Sequence, residues 1–195
     1  LLGKVPSPKI LLKAFEEVKP NLILTVPLIL EKIYKKMILP QLSKTTMKVA
    51  LNIPLLDSRI YAQIRKKLVD AFGGRFREVI VGGAAMNEEV TNFLYKIKFP
   101  FTIGYGMTEC GPLISYDHND EYVPGSCGQI LKGIMKVRID SEDPYNKVGE
   151  IQVSGENVMK GYYKNEEATS KVFTEDGWLR TGDLGTIDAD NRIYI

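Results

Sequence analysis

The stretch FTIGYGMTECGP, residues 101–112, is the most informative part of this chain. Its first three residues form a strand-like run. The glycines on either side of Tyr105 then allow a sharp turn close to a ligand, because glycine carries no Cβ. Tyr105 offers an aromatic face to a base, Thr108 offers a hydroxyl to a phosphate oxygen, and Glu109 adds a carboxylate oxygen of the kind that Mg²⁺ prefers. As an ordered set, these residues favour a nucleotide site over a glycine-bearing surface turn.

Two further motifs fit a nucleotide site. The sequence RTGDLG at 180–185 places Asp183 between two glycines. A carboxylate in such a position suits a sugar diol, as the acidic residue of the dinucleotide-binding fold does. The sequence VGGAAM at 81–86 follows a predicted strand. By itself this motif indicates only a tight strand-to-helix turn, but its position one helix before Gly104 favours a binding role.

Helix and strand signals alternate over the first part of the chain. Apolar residues dominate the predicted strand at 22–26, as in a strand buried on both faces. Strands separated by helices predict an α/β fold with a parallel sheet wound with helices. The predicted helices begin after Ser7-Pro8, at Pro27 (ending near Met37), at the capping pair Asp57-Ser58 (ending at Gly73-Gly74) and at Asn87, and the predicted strands are 22–26, 77–81 and 101–105.

The sequence changes in character near Pro124. Short alternating runs at 135–139 and 150–153 are typical of half-buried strands, and one short helix is predicted near Glu166–Val172. We therefore expect an α/β subdomain over 1–123 and a small β-rich, distorted barrel-like subdomain over 124–195. The β-rich part would carry RTGDLG as a loop.

Composition excludes several classes of protein. The 26 basic residues are interleaved with 24 acidic ones, so no nucleic-acid-binding surface is expected. No apolar run approaches the roughly 20 residues that span a bilayer, and no signal peptide opens the chain, which predicts a cytoplasmic location. The 2 cysteines are too few for a disulfide scaffold. Cys110 lacks the partners of a thiol nucleophile, and His118 stands in a polar run typical of a solvated loop, so no catalytic role is expected of either.

Four motifs in a fixed order give the chain a resemblance to a known family. They are VGGAAM at 81–86, GYGMTECGP at 104–112, GEIQVSGENVMKGYYKNEEAT at 149–169 and RTGDLG at 180–185. In this order they resemble the adenylate-forming, AMP-binding superfamily of acyl-CoA synthetases, peptide-synthetase adenylation domains and firefly luciferase. The opening Val5-Pro6-Ser7-Pro8 and TVPLILEKIY at 25–34 make the chain most similar to the long-chain fatty-acid–CoA ligases.

The resemblance implies an acid–thiol ligase that forms AMP. In such enzymes the carboxylate of a fatty acid attacks the α-phosphate of ATP, which gives an acyl-adenylate and pyrophosphate, and the thiol of coenzyme A then displaces AMP. In-line phosphoryl chemistry needs positioning and charge neutralisation more than a protein nucleophile. Fatty acid, ATP and coenzyme A are therefore the implied substrates, and Mg²⁺ is the implied metal.

The resemblance also implies roles for particular residues. Thr108 would bind the α-phosphate and Glu109 would bind Mg²⁺ as the catalytic pair, Asp183 would bind the ribose hydroxyls, and Tyr105 would stack on adenine. Gly161-Tyr162-Tyr163 matches the family and is interpreted as a turn with packing aromatic side chains. The full nucleotide-binding set is predicted to be Gly82, Gly83, Ala84, Ala85, Gly104, Tyr105, Gly106, Met107, Thr108 and Asp183.

The chain is interpreted as an internal piece of such a ligase. It contains no Ser/Thr/Gly-rich phosphate loop ending in Pro-Lys-Gly, and it ends before the family's hinge and lysine-bearing lid, so the piece alone is expected to be inactive. Two alternatives stay open: another adenylating enzyme (a medium-chain or aryl-CoA ligase or a peptide-synthetase domain), and a nucleotide-binding module without chemistry. A fatty-acyl substrate gives a reason for peripheral membrane contact of the parent, although no amphipathic basic helix here indicates it. The sequence gives no oligomeric state.

Overall fold

The computed structural model describes residues 8–53 and 56–195 of the protein. Contacts within the chain define two compact units, Leu1–Phe101 and Thr102–Ile195. The motif residues Val5-Pro6-Ser7, with the helix cap predicted at Ser7, lie outside the described residues. The domain boundary predicted near residue 123 stays a prediction.

The first unit combines helices with a short sheet. Strands β1 (Leu22–Thr25) and β2 (Glu78–Val81) pair in parallel, with Leu22 opposite Glu78 and Thr25 opposite Val81. The sheet has the order β1-β2-β3, where β3 (Phe101–Ile103) begins at the last residue of the unit. The helices are α1 Pro8–Val18, α2 Pro27–Ile33, α3 Leu39–Leu42, α4 Thr45–Leu51, α5 Leu56–Ala71 and α6 Glu88–Lys96, with a π-helical turn at Tyr34–Ile38.

Local capping signals fix two of these helix ends as predicted. At the start of α6, the side-chain oxygen of Asn87 accepts a hydrogen bond from Val90 N at 3.2 Å. At the end of α5, Gly73 and Gly74 have φ angles of 95° and 71°, and Gly74 N donates to Val69 O at 2.9 Å. Left-handed backbone of this kind favours glycine, which explains why the helix ends there.

Strands β1 and β2 each differ from the predicted bounds by one residue, and three other boundaries differ more. The pair Asp57-Ser58 does not cap α5, which begins at Leu56 and places Asp57 in its first turn; an acidic residue is also favoured there, because it faces the positive end of the helix dipole. The helix predicted over 27–37 changes to the π-helical turn after Ile33. The strand predicted over 101–105 ends at Ile103, because the following residues pair with a different strand.

An aromatic cluster forms part of the core of the first unit. Phe72 is 1% exposed and its ring lies 5.5 Å from that of Phe15, 5.9 Å from Phe76 and 5.7 Å from Phe99. Offset and edge-to-face rings at these distances stabilise a core beyond their buried area. The cluster therefore ties α1 and the end of α5 to the segments that precede β2 and β3.

The second unit is rich in β-structure. Strands β4 (Tyr105–Gly106) and β5 (Leu113–Ser115) form an antiparallel pair joined by a 3₁₀ turn at Thr108–Cys110. Strands β6 (Met135–Asp140), β7 (Gly149–Gly155), β8 (Leu179–Ile187) and β9 (Ile193–Tyr194) form an antiparallel sheet in chain order. The short helix α7 (Glu166–Val172) lies where it was predicted. Buried apolar residues of this sheet, including Ile151, Val153 and Leu179, form the core of the unit.

The general fold class is confirmed, as the chain is mixed α/β with parallel pairing in its first sheet and an antiparallel sheet after it. The interpretation of RTGDLG as a loop is wrong, because residues 180–185 lie inside β8. Gly182 and Asp183 are of residue types that are depleted in strands, and pairing with the long strand β7 overrides this local signal. In the part of the chain that the structure describes, no helix has the length and apolar character needed to cross a bilayer.

Candidate nucleotide site

The β4–β5 hairpin is shaped by one close backbone approach. A Cβ on Gly106 would lie 1.9 Å from Pro112 O, so any other residue would push the two strands apart. Gly106 was predicted to leave room for a ligand. The close packing of the two hairpin strands requires a glycine at this position in any case. After the 3₁₀ turn, Gly111 has a φ of 62°, which lets the chain reverse into β5.

Thr108 and Glu109 lie in the 3₁₀ turn, as neighbours on the surface of the second unit. Thr108 is exposed and Glu109 is half-buried. The backbone oxygen of Glu109 accepts a hydrogen bond from Met159 N at 2.7 Å, and its side-chain oxygen Oε1 accepts one from the hydroxyl of Tyr162 at 2.9 Å. Hydrogen bonds from Met159 and Tyr162, about 50 residues further along the chain, thus hold the turn that carries both predicted catalytic residues.

Asp183 is presented by an irregularity of β8. Gln152 pairs with Arg180 and Glu150 pairs with Leu184, so that three residues, 181–183, oppose the single residue Ile151. Within this bulge, Thr181 Oγ1 donates to Ile151 O at 2.8 Å. A bulge re-aims side chains out of the strand, and it leaves the Asp183 carboxylate exposed.

A hydrogen bond joins two of the predicted site residues that are distant in sequence. The hydroxyl of Tyr105 donates to Asp183 Oδ2 at 2.7 Å. Burial raises the pKa of Tyr105, and the hydrogen bond to the Asp183 carboxylate raises it further, so the hydroxyl stays protonated as a donor. The ring of Tyr105 is 8% exposed and belongs to the core of the second unit. Its stacking on adenine stays a prediction.

The remaining predicted binding residues are distributed over both units. Gly104 is buried and Met107 is half-buried, on either side of β4. The quartet Gly82–Ala85 lies in the first unit, in the loop between β2 and α6. Within it, Gly83 has a φ of 86° with open space where a Cβ would stand, which is consistent with the tight turn that its sequence indicates.

Cys110 and His118, of which no catalytic role was expected, lie in different surroundings. Cys110 is fully buried, and burial raises the pKa of its thiol to about 11. A thiol with such a pKa is a poor nucleophile at neutral pH, because the thiolate is the reactive form. His118 is exposed, and its Nδ1 lies 3.0 Å from the hydroxyl of Tyr116.

Sequence reasoning missed the segment that holds the 3₁₀ turn. The side-chain amide of Asn157 donates to Cys110 O at 2.6 Å and to Leu113 O at 2.9 Å, in addition to the contacts of Met159 and Tyr162 with Glu109. The interpretation of Gly161-Tyr162-Tyr163 as packing aromatics is therefore wrong, because Tyr163 is 87% exposed and the hydroxyl of Tyr162 contacts the predicted metal ligand. The family match of residues 149–169 was the signal that could have found these contacts.

The donor set at the turn fits Mg²⁺ that arrives with a nucleotide. Among residues 8–53 and 56–195 no group of three or more His, Cys, Asp or Glu side chains could hold a metal ion. Mg²⁺ needs no such cage, since it usually keeps several waters and binds through one or two carboxylates and the phosphates of its substrate. The half-buried carboxylate of Glu109, next to the exposed hydroxyl of Thr108, offers that kind of partial site.

Comparison with known proteins identifies a family. The model of the AMP-binding enzyme family matches residues 2–163. A 4-coumarate-CoA ligase 1 from Narcissus pseudonarcissus is 36% identical over 155 residues, which cover 73% of this chain and 28% of that protein. Long-chain-fatty-acid–CoA ligase 1 from Saccharomyces cerevisiae is 29% identical and covers 92% of this chain and 28% of its own length. The chain thus spans about a quarter of the length of these relatives.

A solved structure is also similar to this chain. The crystal structure of ATP-bound MatB from Rhodopseudomonas palustris superposes with a TM-score of 0.69 at 26% identity. The match covers 100% of this chain and 33% of that one. The similarity therefore extends over the whole chain, including the segment after residue 163.

The contacts of Asn157 give a test of how the turn is held. We expect Asn157→Asp to lower the free energy of unfolding by about 2–4 kcal/mol, because it removes two donated hydrogen bonds and turns a carboxylate toward two carbonyl oxygens. Urea denaturation would measure this loss. As a control, the same exchange at the exposed Asn21 should change stability by less than about 0.5 kcal/mol. Equal losses in the two variants would show that the Asn157 amide does not stabilise the turn.

Proposed function

The chain belongs to the AMP-binding enzyme family, and from this we propose that it forms part of an AMP-forming acid–CoA ligase. The observation that carries the proposal is the arrangement of the second unit. There, one short hairpin presents Thr108 and Glu109, and Tyr105, the first residue of its strand β4, donates a hydrogen bond to Asp183. A surface hydroxyl, a partial metal site and an exposed carboxylate are what ATP needs for its α-phosphate, its metal and its ribose.

In the proposed reaction the residues of this chain bind and orient. The Thr108 hydroxyl would donate to an oxygen of the α-phosphate, and the Glu109 carboxylate would hold the metal. Mg²⁺, when bound, offsets the charge of the phosphates and of the departing pyrophosphate. Asp183 has one oxygen bonded to Tyr105, and its other lone pairs accept the two ribose hydroxyls. Fixed donors and charges of this kind account for much of the rate of phosphoryl transfer.

A long-chain fatty acid is the acid substrate that we propose. The support is the match of the yeast long-chain ligase over 92% of this chain, against 73% for the Narcissus 4-coumarate ligase, together with TVPLILEKIY at 25–34. An aryl acid such as 4-coumarate is the second candidate, since the Narcissus ligase has the higher identity, 36% against 29%.

A direct assay separates these candidates. The complete protein that contains this chain would be incubated with ATP, Mg²⁺, coenzyme A and either palmitate or 4-coumarate. We expect palmitoyl-CoA and AMP, with a kcat/KM for palmitate about tenfold or more above that for 4-coumarate, a ratio within reach of apolar pocket contacts. A preference for 4-coumarate would establish the second candidate. Nucleotide binding without AMP formation from any acid would instead identify a binding module.

Glu109 is the residue on which metal binding depends in this proposal. We expect Glu109→Gln in the complete protein to lower the rate of pyrophosphate release by about a hundredfold at ordinary Mg²⁺, because a neutral amide no longer holds the metal. The matched control is Glu156→Gln on the exposed side chain of Glu156, which should leave the rate unchanged. Wild-type activity in Glu109→Gln would contradict the metal role.

Asp183 should determine ATP affinity rather than metal dependence. We expect Asp183→Ala to weaken ATP binding about tenfold or more, because it removes the acceptor of both ribose hydroxyls. Calorimetric titration of the complete protein measures this, and Glu175→Ala, at an exposed carboxylate of the same unit, controls for the lost charge. An unchanged affinity would show that ribose binds elsewhere.

A further inference from the structure

The hydrogen bond between Tyr162 and Glu109 links two segments that are 53 residues apart. Tyr162 is 37% exposed, so burial alone does not fix the position of its side chain. Its hydroxyl donates to one oxygen of Glu109, Oε1, at 2.9 Å. Among the described residues, none makes a hydrogen bond to the second oxygen of this half-buried carboxylate.

The backbone of Tyr162 is itself fixed at the start of α7. Tyr162 N donates to Thr169 Oγ1 at 2.9 Å, and Thr169 Oγ1 donates in turn to Asn165 O at 2.8 Å. A Cβ on the preceding Gly161 would lie 2.7 Å from the Thr169 side chain, so this close approach requires glycine. The phenol therefore projects from a fixed point on the chain.

The same segment holds the backbone around Glu109. Met159 N donates to Glu109 O at 2.7 Å, and the amide of Asn157 donates to the carbonyl oxygens of Cys110 and Leu113. With the Tyr162 hydroxyl, four hydrogen bonds connect residues 157–162 to the hairpin. Three of them fix backbone atoms, and only the contact of Tyr162 orients the carboxylate itself.

We propose that Tyr162 is a positioning residue that orients the Glu109 carboxylate for Mg²⁺ in the nucleotide complex; the proposal rests on the proposed function. A free glutamate side chain has three rotatable bonds, and ordering them costs free energy each time that metal binds. The hydrogen bond from Tyr162 restricts the Glu109 side chain before metal binds, and so lowers this cost. Partners that hydrogen-bond to a metal-binding carboxylate in this way commonly affect metal affinity by about ten- to a hundredfold.

The chain offers a matched control for this proposal. Tyr163 is the next residue and is 87% exposed. Its ring lies 5.2 Å from the Lys164 ammonium, and the hydrogen bond to Glu109 Oε1 comes from Tyr162. Tyr162→Phe and Tyr163→Phe remove the same hydroxyl from adjacent positions. A difference between the two variants therefore reports on the contact with Glu109.

We expect Tyr162→Phe in the complete protein to raise the half-saturating Mg²⁺ concentration for pyrophosphate release about tenfold, with the maximal rate restored at saturating Mg²⁺. Tyr163→Phe should behave as wild type. An unchanged or lower Mg²⁺ requirement in Tyr162→Phe would overturn the inference while leaving the proposed function in place. A rate loss that Mg²⁺ does not restore would mean that Tyr162 only maintains the fold. A wild-type protein that releases no pyrophosphate would overturn both.

A second measurement is independent of turnover. The ¹³Cζ chemical shift of a tyrosine ring reports on the hydrogen bond that its hydroxyl makes, here to Glu109 Oε1. In protein labelled with [¹³Cζ]tyrosine, the signal lost in Tyr162→Phe identifies this ring. At neutral pH its chemical shift should change in Glu109→Ala, where the acceptor is gone, and stay the same in Glu156→Ala. A shift that does not change in Glu109→Ala would show that the two side chains are not in contact.

Discussion

The hydrogen bond from Tyr105 to Asp183 is the interaction on which the candidate site depends. It connects the hairpin β4–β5 to the bulge of β8, across 78 residues of sequence. A buried hydroxyl without a partner would cost free energy, so Tyr105 needs an acceptor, and the bulge delivers one at 2.7 Å. The contact that gives the buried Tyr105 hydroxyl its acceptor thus also fixes the position of the exposed Asp183 carboxylate.

The second carboxylate of the site is held by the same chemistry, but its tyrosine partner is more exposed. Tyr162 donates to Glu109 as Tyr105 donates to Asp183, and the exposed fractions of these two tyrosines are 37% and 8%. A hydrogen bond in a drier environment is electrostatically stronger. Asp183 is therefore held through the more buried of the two phenols, whereas the turn that carries Glu109 is also held by the backbone bonds that residues 157–159 make to it.

The parts of the fold that could be predicted from sequence are those fixed by local chemistry. Asn87 caps α6 and Gly73-Gly74 end α5 because each signal acts within a few residues. The strand β8 could not be found in this way, since Gly182 and Asp183 argue against a strand and only the pairing with β7 forces one. The contacts of Asn157 and Tyr162 were missed for the same reason, because they join segments 44 to 53 residues apart.

Sequence motifs and structural contacts describe different aspects of the candidate site. Motif order identified Thr108, Glu109 and Asp183, and it described what each side chain could bind, but it could not say what holds them. Gly106 shows the difference clearly, since its motif suggested room for a ligand, whereas the carbonyl of Pro112 occupies the space that a Cβ would need. A residue in a binding motif can therefore be required by the packing of its own chain. Substitutions at such positions alter the scaffold and the site together, which is why the side-chain hydroxyl of Tyr162, outside the core, separates the two effects more cleanly.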